Sequence, residues 1–147
     1  MAKSDLILNL MVSHHGLLEI LLTVAEDDLG RNTERAREAL DNFQWELEKH
    51  IFGEEKVAFK NYKVEDLETH ELVKKLESEH AVMLETIDAL KNGWETKTKA
   101  DIAEFREFMV KHRELEEKDF YHKLDQILSE ATKEEIVARI NEIPIKK

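Results

Sequence analysis

Lys49-His50-Ile51-Phe52-Gly53-Glu54-Glu55-Lys56 decides the fold, together with a second stretch of the same form, Lys111-His112-Arg113-Glu114-Leu115-Glu116-Glu117-Lys118. Each places a Glu four residues after a His. Four residues of α-helix turn through about 400°, so both side chains leave one face, one turn apart. The flanking residues make that face the apolar one. Phe43, Leu47 and Val57 surround the first pair, and Ile102, Phe105, Met109 and Phe120 the second, at steps of three and four. Each pair therefore replaces two core positions. A lone carboxylate in a core costs several kcal/mol or more, so it is retained when paired, protonated or bound to a cation. Two such pairs in one small chain have a common explanation in a metal centre.

Working outward, the spacing predicts four long helices and a short fifth. Helix 1 is expected from about Ser4 to Leu29, closed by Gly30, with Ile7, Leu10, His14, Leu17 and Leu21 inward. Helix 2 starts after Asn32 or Thr33 and reaches about Lys60. Helix 3 covers about Glu65 to Lys91, with Val73, Leu76, His80, Met83, Ile87 and Leu90 inward, and ends at Asn92-Gly93. Helix 4 runs from Thr96 or Thr98 to about Leu128. Thr132-Lys133-Glu134-Glu135 resembles a capping box, placing a last helix over 133–142 before Pro144. Short links between four such helices predict an all-α, antiparallel up-down-up-down four-helix bundle, a single domain over 1–147.

The totals agree. The chain has 147 residues, 33 Asp and Glu against 22 Lys and Arg, and a formal charge of −11, which disfavours nucleic acid or an anionic membrane as partner. With no cysteine there is no disulfide, thiolate ligand, iron–sulfur cluster or Cys nucleophile, and a cytoplasmic location is expected. Leu6 to Val24 is Leu-rich but interrupted by His14, His15 and Glu19, and reads as a core helix rather than a signal or a span.

A two-helix repeat completes the pattern. His14-His15-Gly16-Leu17-Leu18-Glu19 aligns with His80-Ala81-Val82-Met83-Leu84-Glu85, so helices 1 and 2 read as a copy of helices 3 and 4. The expected inner set is His14, His50, Glu54, His80, His112 and Glu116. The alignment selects His14 over His15, and Glu117 stays an alternative to Glu116. Glu55 and Glu117 point about 100° further round, toward solvent or the back of a ligand. His15, His70 and His122 are expected at the surface or behind ligands. Gly16 and Gly53 are expected to make room beside the ligands. Mixed imidazole and carboxylate ligation with open positions favours two iron ions, with manganese or zinc behind. The two Glu would each span both ions.

The ordered set resembles the hemerythrin-like, or HHE cation-binding, family. The matching pieces are Leu10-Met11-Val12-Ser13-His14, His50-x-x-x-Glu54-Glu55, Glu79-His80 with Met83-Leu84, and His112-x-x-x-Glu116-Glu117, over residues 5–128. The resemblance implies a four-helix bundle around a non-haem di-iron centre, bridged by the two carboxylates and an oxo or hydroxo group. It implies binding or sensing of dioxygen or nitric oxide, iron handling, or repair of iron centres. The oxygen-carrying branch has a second His on helix 3 where this chain has Leu84, which argues against plain oxygen carriage. A di-iron redox enzyme, a ferroxidase or peroxide consumer of ferritin-like type, is the alternative. Such sites need two Glu-x-x-His motifs, and only Glu77-Ser78-Glu79-His80 has that spacing. A metal-free helical interaction domain is the third reading.

Overall fold

Local signals set most helix ends in the computed structural model, which describes residues 3–142. α1 spans Leu6–Asp28, α2 Thr33–Lys56, α3 Leu67–Lys91 and α4 Lys99–Leu115. A π-helical turn, Glu116–Tyr121, continues α4 into α5, His122–Ile127, and α6 covers Glu130–Asn141. Single 3₁₀ turns, Ala58–Lys60 and Trp94–Thr96, lie in the links. Asn32 caps α2 by accepting from Arg35 N, and Thr98 and Asp101 form a capping box on α4. Gly30 and Gly93 carry the positive φ angles, +85° and +68°, that the two turns require.

Four expected boundaries move. α2 stops at Lys56, and Ala58–Lys60 is a separate turn. α3 starts behind Asp66, whose carboxylate accepts from Thr69 N. α6 starts three residues early because Ser129, not Thr132, is its cap and accepts from Thr132 N. Ser4 does not cap α1. The N–H groups of Ile7 and Leu8 instead donate to the two oxygens of Asp125, each at 3.0 Å, across the fold from α5. Asp125 is fully buried beside Lys133, which donates to Ser4 O at 2.9 Å and Asp125 O at 3.0 Å. This knot ties the start of α1 to α5 and α6. The expected stop at Pro144 lies outside the described residues.

α1 packs on α2, α2 on α3, α3 on α4 and α4 on α1, closing a ring of four rods, with α6 laid against α1. One apolar core joins the late part of α1 (Leu18, Leu22), the first half of α2 (Leu40, Phe43), the late part of α3 (Ile87, Leu90) and the start of α4 (Ile102, Phe105). Only rods that alternate in direction bring those ends together. A second core gathers Ile7, Met11, Val73, Leu76, Phe120 and Leu124 at the opposite end. Between the two cores lies a layer of buried imidazoles and carboxylates. α1 is long and apolar enough, by length and composition, to cross a membrane, with a mean hydropathy of 1.5. In the bundle its inward line contributes to both cores, while Val12, Leu17, Ile20 and Val24 are exposed.

Candidate metal centre

The ionisable layer is assembled one turn at a time. α2 supplies His50 and Glu54, α3 His80, α4 His112, and the π-helical turn Glu116. All five are buried, and both Glu are 0% exposed. From α1 the buried residue is His15. His14, expected there, is half-buried at the edge, with Nδ1 3.3 Å from Nδ1 of His50. The expected α1 face is thus rotated by one residue, about 100°. Met11, His15, Leu18, Leu22 and Ala25 are buried, at the same steps as Leu76, His80, Met83, Ile87 and Leu90 on α3. The repeat therefore pairs His15 with His80, and His14 with Glu79.

The Nε2 atoms of the four rings face the two carboxylates. Glu54 Oε1 lies 3.0 Å from His50 Nε2 and 3.2 Å from His80 Nε2. Glu116 Oε1 lies 3.2 Å from His15 Nε2. Its Oε2 lies 3.2 Å from His112 Nε2 and 3.6 Å from His80 Nε2. Behind three of the rings stands a second carboxylate at Nδ1: Glu117 on His15 at 2.7 Å, Glu55 on His80 at 2.8 Å and Glu79 on His112 at 2.8 Å. A carboxylate behind a ligating His fixes the ring's tautomer and orientation and raises its basicity. Glu55 and Glu117 thus take the place behind a ligand that their i+5 position allows. Glu79 and Tyr121 were not among the expected site residues. The Tyr121 phenol donates to Glu54 Oε2 from the π-helical turn. Tyr121 lies five positions after Glu116, and the i→i+5 repeat of a π-turn brings both inward.

Electrostatics show what the layer does with protons. Burial alone pushes these imidazoles down. For His80 the Glu116 and Glu54 carboxylates outweigh it and raise the pKa to about 11. His15 and His112 also rise, through Glu116 above all. Burial pushes Glu116 up, but its close neighbours Glu54, His112, His15 and His80 hold it well below the usual carboxylate range. His14 is lowered to about 4, by burial and then by His50, His15 and Lys49, and is uncharged at neutral pH. Protons on the imidazoles thus do in the metal-free protein what a cation would do.

The donor set fits a metal. Among the described residues, His50 Nε2, His80 Nε2, Glu54 Oε1 and both oxygens of Glu116 are buried without a hydrogen-bond partner. Such atoms, facing one another at 3.0–3.6 Å without aligned hydrogen bonds, are the arrangement a bound ion would satisfy. Two groups have donor atoms close enough to hold one: Glu54, His80, His112 and Glu116, and His15, His50 and Glu116. Against the layer lies a cavity of about 40 Å³ walled by Leu18, Leu22, Leu47, Ile51 and Met83. Toward the α1/α4 edge it meets Arg113, held to Glu19 at 2.7 Å, and Arg106, held to Glu26 at 2.9 Å.

Other expectations fall away from the site. His70 pairs with the Tyr62 hydroxyl at 2.6 Å, and His122 is exposed. Glu77 is exposed, which removes the one Glu-x-x-His spacing from the layer. A Cβ on Gly16 would meet nothing within 4 Å, so Gly16 makes no room for a ligand or helix. Gly53 is buried, next to Glu54.

A helical bundle whose core is divided by a layer of imidazoles and carboxylates is a cation-binding domain. Residues 6–124 match the family model of the hemerythrin HHE cation binding domain, and the chain belongs to that family. No curated protein and no solved structure matches it.

Proposed function

We propose that the layer holds a pair of iron ions and that the apolar cavity admits a small ligand such as dioxygen or nitric oxide. The observation that carries this reading is the convergence of orphaned donors on two overlapping groups that share Glu116. Four imidazoles and two carboxylates suit iron better than calcium or magnesium, which prefer oxygen alone, and the site lacks the thiolates that would favour softer ions. Bound iron would supply the electrons that a diatomic ligand exchanges. His80, His112, Glu54 and Glu116 would hold one ion, and His15, His50 and Glu116 the other. Glu55, Glu79 and Glu117 would keep the proton at Nδ1 of their rings, leaving Nε2 free to bind.

Size bears on the class of ligand. One water needs roughly 10–15 Å³, so a cavity of about 40 Å³ has room for a diatomic. The half-buried Leu84, packed against the first core, leaves no imidazole where an oxygen carrier has its extra His. Sensing of a diatomic or handling of iron therefore fits better than plain oxygen carriage. The exposure of Glu77 argues against a ferritin-like oxidase.

Iron analysis and an optical spectrum of protein loaded anaerobically, then exposed to air, test the proposal. Two iron ions per chain and a visible band that forms in air and is lost on reduction are expected. Irreversible oxidation with peroxide release would make the protein an oxidase instead. Equal iron uptake by the parent, His50→Ala and His112→Ala would remove the metal reading altogether.

A further inference from the structure

Two side chains outside the donor set, Tyr121 and His14, act on the same half of the layer. The Tyr121 phenol occupies Glu54 Oε2, so that carboxylate has one free oxygen, Oε1. Glu116 has no such hydroxyl donor, and both of its oxygens face imidazole nitrogens. The repeat explains the difference. Where the second half has Tyr121, the first has Phe59, whose ring stacks on His80 at a centroid distance of 5.7 Å and carries no hydroxyl. Glu116 belongs to both donor groups, whereas Glu54 offers a single free oxygen, 3.0 Å from His50 Nε2 and 3.2 Å from His80 Nε2, and completes only the group with His80 and His112. One group has four residues and the other three.

The support behind the rings is unequal on the same side. Carboxylates stand at Nδ1 of His15, His80 and His112. At Nδ1 of His50 stands the His14 ring, 3.3 Å away, where the repeat puts Glu79 behind His112. A ring that binds a cation through Nε2 keeps its proton at Nδ1 and donates it. An imidazole is a weaker acceptor for that proton than a carboxylate, so the His50 ring is held less firmly in its ligating orientation than the other three.

We propose that Tyr121 and His14 make the His15/His50/Glu116 position the weaker of two cation positions, the one that fills last and empties first. The inference rests on the reading of the layer as a two-ion site. Tyr121 is a positioning residue that acts through Glu54, and His14 one that acts through His50. One ion then stays bound while the other follows the free cation concentration, which suits a domain that handles or senses iron.

Ferrous ion titrated anaerobically into the metal-free parent, Tyr121→Phe and His14→Glu, followed by calorimetry and iron analysis, tests this. The parent takes up two equivalents in two steps, the second at least about tenfold weaker. Tyr121→Phe frees Glu54 Oε2, and His14→Glu restores a carboxylate behind His50. Each narrows the gap between the two steps by about threefold or more. Melting curves check that the variants fold. His14 lies at the edge of the layer, so His14→Glu serves as the test if Tyr121→Phe does not fold. Equal affinities in the parent, a gap unchanged in the folded variants, or one equivalent in all three overturns the inference. Uptake of no iron by the parent removes the two-ion reading itself, and the inference with it.

Discussion

Replacing His15 and His14 in turn separates two adjacent imidazoles by what they touch. His15 is 7% exposed and faces Glu116 Oε1 at 3.2 Å and Glu117 Oε2 at 2.7 Å. His15→Ala removes one of three residues of a donor group and leaves Glu117 with no ring to support. Loss of a partner behind a ligand already costs about 10–100-fold in metal affinity. Loss of the ligand itself costs at least the upper end, about 2.7 kcal/mol. His14→Ala removes only the acceptor behind His50 and falls within the lower range, about 1.4–2.7 kcal/mol on one ion. Iron analysis after anaerobic loading and desalting reads the difference. His15→Ala retains one ion per chain, while His14→Ala takes up two at raised ferrous concentration. Two ions in His15→Ala together with one in His14→Ala would refute the placement of α1.

Three more outcomes follow from the same contacts. His15, His80 and His112 have pKa values above the ordinary 6.5, so their contribution to stability is complete below about pH 6.5 and fades as pH rises toward about 11, the His80 value. The depressed pKa of Glu116 works oppositely, its contribution being present above about 4.5 and lost in acid. Metal-free protein should therefore melt highest near pH 5–6.5; a melting temperature that climbs from pH 6.5 to 9 would contradict this. Asp125→Ala uncaps Ile7 and Leu8 while Lys133 keeps Glu130 and the carbonyls of residues 4 and 125, and should cost about 1–3 kcal/mol in urea unfolding, more than a surface aspartate. Gly16→Ala should add about 1 kcal/mol and leave iron uptake unchanged, since its methyl meets nothing; loss of stability would show that the glycine is needed.

The bundle was legible because its signals are local. Asn32, Thr98, Gly30 and Gly93 act within a few residues of themselves, and the inward lines of α2 and α3 alternate with polar faces. The His/Glu pairs on α2 and α4 were legible for the same reason. α1 was not, because it is apolar on nearly every side. Leu10-His14-Leu17-Leu21 and Met11-His15-Leu18-Leu22 have identical spacing, and only packing against α2 and α4 chooses between them. One usable signal was the pair Glu79-His80, which aligns with His14-His15 when the acid and the first imidazole share a role. Tyr121 had no such signal. It faces inward through a π-helical turn, and its spacing from Glu116 lies outside the helical period. The cap on α1 was equally hidden, since Asp125 is remote in sequence.

Anomalous diffraction from crystals of the iron-loaded protein, recorded at the iron edge, tests the central claim most directly. Two peaks within the layer are predicted, one among His80, His112, Glu54 and Glu116 and one among His15, His50 and Glu116. Iron bound only at surface carboxylates, with the imidazole rings still paired to Glu54 and Glu116, would contradict it.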